Sequence, residues 1–106
     1  MTKGIAQIFK EEGMRSISSI RWTEECINHI ANHGVSPKEV EEVCFNEEDR
    51  PLVRSGRGKL HYVFGRTGSG RFLFIVVRFL RPGEVRIVTA REMNSWERKY
   101  FKTRGK

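Results

Sequence analysis

Residues 60–91 read LHYVFGRTGSGRFLFIVVRFLRPGEVRIVTAR, and this stretch decides the fold. Three apolar segments, 60–65, 72–79 and 85–90, alternate with two turn signals, 66–71 and 81–84. β-Branched and aromatic residues bounded by Gly and Pro read as strands joined by hairpins. In the second turn, Pro82 presets φ for one central position and Gly83 tolerates a positive φ at the next. The stretch therefore predicts an antiparallel meander. Its middle run, Phe72-Leu73-Phe74-Ile75-Val76-Val77, has no polar break. A strand apolar on both sides needs cover on both sides. Helices from the N-terminal half supply one cover, and the sequence leaves the other open.

Register decides which arginines share a face. With Pro82 and Gly83 as the central turn residues, Arg81 faces Glu84, Leu80 faces Val85, Arg78 faces Ile87, Val76 faces Thr89 and Phe74 faces Arg91. Directly opposed residues share a face. Arg78 and Arg91 then point the same way, while Arg86 joins Val77, Phe79 and Val88 on the other side. A bulge beside the turn shifts this relation by one residue.

Outward from the meander, the flanks read as helices. Thr23 is an N-cap with Glu24 and Glu25 in the first turn, and Ile27, Ile30 and Ala31 form an apolar stripe that Gly34 stops. Ser36-Pro37-Lys38-Glu39 is a capping box with Pro at the first helical position, and Val40, Val43 and Cys44 line one face of the helix it opens. Asn94 and Glu97 bracket a second capping box, which starts a C-terminal helix over 95–101 before the basic tail of Lys102, Arg104 and Lys106. Residues 17–22 and Leu52-Val53 are further candidate strands, the latter an edge strand behind Pro51. Ile5, Ile8 and Phe9 have helical spacing that Gly13 ends. The fold class is α+β: an antiparallel meander sheet packed by two N-terminal helices and a short C-terminal helix. At 106 residues the chain is expected to be one domain, with residues 1–20 an extension and about 20–102 the core.

Composition narrows the partners. No apolar run approaches the ~20 residues of a spanning helix and no leader pattern opens the chain, so the cytoplasm is the expected compartment and no membrane partner is expected. Cys26 and Cys44 lack a CxxC partner and read as buried thiols. Residues 1–49 hold 5 Lys/Arg and 10 Asp/Glu, a net −5, whereas residues 50–106 hold 15 and 3, a net +12. A basic half of that density implies an anionic partner, nucleic acid first. Several of its arginines lie inside predicted strands, where each must reach water or meet an anion.

Other motifs carry less. His29 and His33 stand at i, i+4, but Ile30 replaces the glutamate of an HExxH site and no third ligand is evident, so no metal is expected. The glycine-rich loop 65–70 lacks the Gly-Lys-Ser/Thr of a P-loop and precedes no helix; its amides, with Arg66 and Arg71, offer a weak phosphate contact. Arg66, Arg78, Arg86 and Arg91, with Arg98, Lys99 and Tyr100 on the last helix, remain as a basic, aromatic-edged surface. Cleaving RNA requires activation of a 2′-hydroxyl, stabilisation of phosphorane charge and protonation of the leaving 5′-oxygen. Arginines serve the second need; Tyr100, His33 and Glu97 are side-chain types that serve the others. Binding without cleavage fits the same residues.

Taken in order, Trp22, His33-Gly34-Val35-Ser36, Glu39-Val40-Glu41-Glu42-Val43, Phe64-Gly65-Arg66-Thr67, Phe72–Val77, Val85-Arg86-Ile87-Val88-Thr89-Ala90-Arg91 and Glu97-Arg98-Lys99-Tyr100 form a pattern. It resembles the BrnT family of toxins from bacterial type II toxin–antitoxin systems, whose fold is similar to that of RelE-type ribonucleases. The resemblance covers roughly residues 20–102 and implies a cofactor-free, metal-independent endoribonuclease that cleaves RNA or ribosome-bound mRNA to inhibit translation. It implies as partner a cognate antitoxin, a small DNA-binding protein. Carried over by position, His33, Arg66, Arg86, Arg91, Glu97 and Tyr100 match the family motifs; Arg78 enters through the register. The resulting expectation places Arg91, Arg78, Tyr100 and His33 in catalysis, and Arg66, Arg71, Arg86, Arg98 and Lys99 in RNA binding. The chain departs from the family at Asn32, where a lysine is usual.

Overall fold

A computed structural model describes residues 16–104. The helical spacing over residues 5–13 and the terminal Lys106 lie outside them. The order is β1 (Ser19–Arg21), α1 (Glu24–Ala31), α2 (Pro37–Cys44), β2 (Leu52–Ser55), β3 (Leu60–Arg66), β4 (Phe72–Arg81), β5 (Glu84–Glu92) and α3 (Ser95–Lys102). The five strands form one sheet in the order β1-β5-β4-β3-β2. The fold is α+β, but the sheet is mixed. β2 to β5 form the expected antiparallel meander, whereas β1 runs parallel to β5, with Ile20 beside Val85.

The helices begin where their caps predict. The Thr23 hydroxyl accepts from the Cys26 amide. Both reciprocal capping boxes form, Ser36 with Glu39 and Asn94 with Glu97. Gly34, at φ +74°, turns the chain between α1 and α2, a conformation that costs a side-chain-bearing residue energy. The buried stripe of α1 is Cys26 and Ile30; Ala31 of the expected stripe is exposed. On α2 the buried residues are Val40, Val43 and Cys44, as the periodicity predicts.

Alternation along β4 sends its two apolar sets in opposite directions. Leu73, Ile75 and Val77 pack with Val63, Val85, Ile87 and Ala90 against Cys26, Ile30, Val35, Val40 and Val43. On the reverse face Phe72 and Phe74 pack with Phe64 against Met93, Tyr100 and Phe101. Among the described residues the second cover is therefore α3, which lies over the end of the face where these aromatics sit.

The hairpin between β4 and β5 corrects the simple register. Arg81 faces Glu84, Val76 faces Thr89 and Phe74 faces Arg91, as expected, yet between them Phe79 faces Val85, Arg78 faces Arg86 and Val77 faces Ile87. Leu80 is an extra residue on β4 and Val88 an extra residue on β5, so the two bulges cancel. Both bulged residues are exposed. The physical reason lies in the turn and the core. Pro82 cannot adopt the positive φ of the tight hairpin turns whose twist matches the strands, and a bulge beside the turn absorbs the mismatch. The second bulge lets Ile87 and Ala90, an odd number of residues apart, both enter the core. Gly83 closes the turn at φ +84°, and its carbonyl accepts from the Ser18 and Ser19 amides at 2.7 and 3.0 Å, which seats β1 against the sheet.

Gly65 lets α2 approach β3. A β-carbon there would lie 2.6 Å from Val43 Cγ1 and 3.4 Å from Pro51 Cβ. Val43 is β-branched and fully buried, so it has little room to yield. Gly65→Ala is expected to lower unfolding free energy by about 1–3 kcal/mol, read from urea denaturation. Adding Val43→Ala is expected to cost less in that background than in the wild type; equal costs would show that the two positions do not meet.

Candidate functional site

The bulges gather arginines on one face. Arg78 and Arg86 face each other directly, and Arg21 pairs with Arg86 from β1. Arg78 also lies four residues from Phe74, which faces Arg91. Arg78, Arg86 and Arg91 therefore share a face, the face that carries α3. This corrects the expectation that Arg86 points the other way. Arg54, in β2, pairs with Tyr62, itself beside Val76, and joins the same face.

These arginines divide by partner. Arg91 forms a two-pronged fork on Glu97, Nη1 to Oε1 and Nη2 to Oε2, each at 2.9 Å. Its guanidinium also lies 4.5 Å above the Phe74 ring. Glu97 is 6% exposed and accepts in addition from the Asn94 amide. Burial alone would raise the Glu97 pKa, but Arg91 and the Asn94 amide outweigh it and hold the carboxyl below its ordinary value. Arg71 is likewise engaged. Its Nε donates to Glu92 at 2.8 Å, and its Nη1 donates to both Glu39 oxygens at 2.9 Å and to the Gly34 carbonyl at 2.8 Å. Arg91 and Arg71, expected at the phosphate, instead join elements of the fold. The hairpin loop is occupied too, because the Gly68 amide donates to Glu42.

Arg66 stacks over Phe72 at 4.9 Å and stands 4.0 Å from Asp49, which also pairs with Arg104. It sits at the α3-covered end of the face. Arg98 is exposed and donates to the Met93 carbonyl at 3.4 Å; Lys99 is exposed on the side of α3 opposite its buried Glu97 and Phe101. His33 belongs to the other layer, at the α1–α2 corner, with its ring 5.5 Å from that of His29. The structure does not bring His33 together with Tyr100. His29 Nε2 shares a hydrogen bond with the Thr89 hydroxyl at 3.1 Å. Among the described residues, no three His, Cys, Asp or Glu side chains stand close enough to hold a metal ion. Cys26 and Cys44 are buried and unbridged, and burial pushes the Cys44 thiol up to about 12, which removes it as a nucleophile.

What remains on the one face is Tyr100 and Arg54 at the α3 end and Arg78 and Arg86 further along it. The Tyr100 ring packs on Phe64 at 5.2 Å, and its hydroxyl accepts from Arg54 Nε at 3.2 Å. Arg78 and Arg86 are exposed, and among the described residues no carboxylate pairs with either. Sequence reasoning missed Arg54. The signal was present, since continuing the alternation of Leu52-Val53 by one residue turns Arg54 away from the core. No protein-family model matches the chain, and no curated protein matches its sequence.

The Arg91–Glu97 fork has a measurable signature. A carboxyl whose folded pKa is lowered contributes stability in full above its unfolded value, about 4.3, and loses it as pH falls through the folded value. Glu97→Gln is expected to cost about 1–3 kcal/mol near neutral pH and to shrink the loss of stability between about pH 5 and pH 3. Urea midpoints across that range test it; a variant with wild-type acid sensitivity would contradict the assignment.

Proposed function

We propose that this chain is a metal-independent endoribonuclease of the BrnT-like, RelE-related toxin kind, acting in the cytoplasm on RNA or ribosome-bound mRNA. A cognate antitoxin, a small DNA-binding protein, holds it inactive. The observation that carries the reading is the Tyr100 hydroxyl. Arg54 donates to its oxygen, so the phenol's own proton is left to be given to a substrate oxygen. The Arg54 guanidinium stands beside the oxygen that gains negative charge as that proton leaves.

In the cleavage step the 2′-oxygen attacks the neighbouring phosphorus and releases its proton to solvent. The 5′-oxygen leaves with the Tyr100 proton, giving a cyclic phosphate end. Arg78 and Arg86 neutralise the charge that grows on the phosphorane oxygens. Two observations favour a second reading, a nucleic-acid-binding module or a toxin that acts only through its antitoxin. Arg91 and Arg71 are committed to carboxylates, and His33 lies in the other layer.

Induced expression in a bacterial host is expected to arrest growth and fragment RNA, and the purified chain to cleave RNA with or without a chelator. Tyr100→Phe keeps the ring packing and is expected to lose on the order of 10²–10⁴-fold in rate. Arg78→Ala is expected to lose on the order of 10²-fold. Wild-type chain that accumulates without harm and leaves RNA intact would contradict the nuclease and leave the binding reading.

A further inference from the structure

Among the described residues, Trp96 is the most exposed of the large apolar side chains. It is 63% exposed, against 42% for Phe45, 41% for Leu80 and 37% for Val88, the other large exposed apolar side chains among the described residues. It occupies the first turn of α3, where its helix propensity is mediocre and a polar residue would serve the helix better. The buried anchors of that helix are Glu97 and Phe101, and Met93 just before it is buried as well. Among the described residues the one aromatic ring Trp96 meets is that of Tyr100, at 5.5 Å between centroids and 79° between planes. In such an edge-to-face pair one ring's edge meets the other's face, so at least one face of the indole is unused by Tyr100.

The surroundings select what that face receives. Tyr100, one turn along the same flank, reaches Arg54, and Arg78 and Arg86 are exposed on the same sheet face. An apolar π-surface set among cations suits a ligand that is itself flat, aromatic and tied to anions. A nucleotide strand has that chemistry, and indole–base stacking accepts any base because every base has a π-face. Bases in a duplex already stack on their neighbours, and only an unpaired base can lie on an indole.

We infer that Trp96 is the stacking platform for one unpaired base, so this face takes its RNA single-stranded, with the base on Trp96 and the adjoining backbone toward Arg54, Arg78 and Arg86. The inference rests on the nucleic-acid reading above and specifies how the same face recognises its ligand. Trp96 is here a specificity residue and carries no proton.

The test is binding of a fluorescent 2′-O-methyl RNA oligonucleotide, which lacks the attacking hydroxyl, as a single strand and as a duplex over a range of salt. Wild type is expected to bind the single strand more tightly. Trp96→Ala is expected to weaken single-strand binding about 5- to 100-fold, to leave the salt dependence unchanged and to leave duplex binding unchanged. Trp96→Phe is expected to retain most of the affinity. Arg78→Ala and Arg86→Ala are expected instead to flatten the salt dependence, by about 0.7 in log–log slope for each phosphate no longer neutralised. Circular dichroism checks that each variant is folded. Trp96→Ala that binds the single strand like wild type, or that loses duplex binding equally, overturns the inference while leaving the nucleic-acid reading intact. Wild type that binds neither RNA overturns both.

Discussion

Strand β4 is apolar on both faces, and the rest of the structure answers to that constraint. One face is sealed by the α1–α2 pair, which brings Ile30, Val40 and Val43 onto Leu73, Ile75 and Val77. Among the described residues the other receives a single helix of eight residues, which covers Phe72, Phe74 and Phe64 but not the full face. Beyond that helix the same face carries Arg54, Arg78 and Arg86. The candidate interface thus follows from an imbalance between the two covers.

Where α3 lies depends on a buried carboxylate. Glu97 caps its own helix through Asn94 and receives the Arg91 fork from β5, so one side chain sets both where the helix starts and how it docks. With that end fixed, Tyr100 falls over Phe64 and within reach of Arg54. Arg71 does the same work on the opposite side, tying the hairpin to α2, to the Gly34 corner and to the end of β5. The basic half of the chain therefore contains two populations. Some arginines are buttresses held by carboxylates; Arg78 and Arg86 are not, and they mark the surface open to an anion.

Much of the architecture was legible because its determinants are local. Both capping boxes are three-residue relations, and the meander is announced by β-branched runs between glycines. Strand β1 falls within the candidate strand at residues 17–22, but its parallel pairing was not legible, since it is three residues long and pairs across more than sixty positions of chain. The two bulges were half legible. Pro82 signals a turn whose twist disagrees with its strands, but not that Leu80 and Val88 absorb the difference. The site was the least legible part, because arginines look alike in sequence. Arg71 finds Glu39 and Glu92 at separations of 32 and 21 residues, and only the folded chain reveals that pairing. The resemblance to the BrnT family rests on motif order, which does not separate Arg91 from Arg78.

The central claim is that the half-open face of the sheet, and not the helical layer, meets RNA. The most direct measurement is an amide chemical-shift titration of the labelled chain with a 2′-O-methyl RNA single strand. Perturbations are expected at Arg54, Tyr62, Arg78 and Arg86 and along the Trp96–Tyr100 flank, with α1 and α2 silent. Shifts confined to α1, α2 and the His33 corner, or none at all, would contradict it.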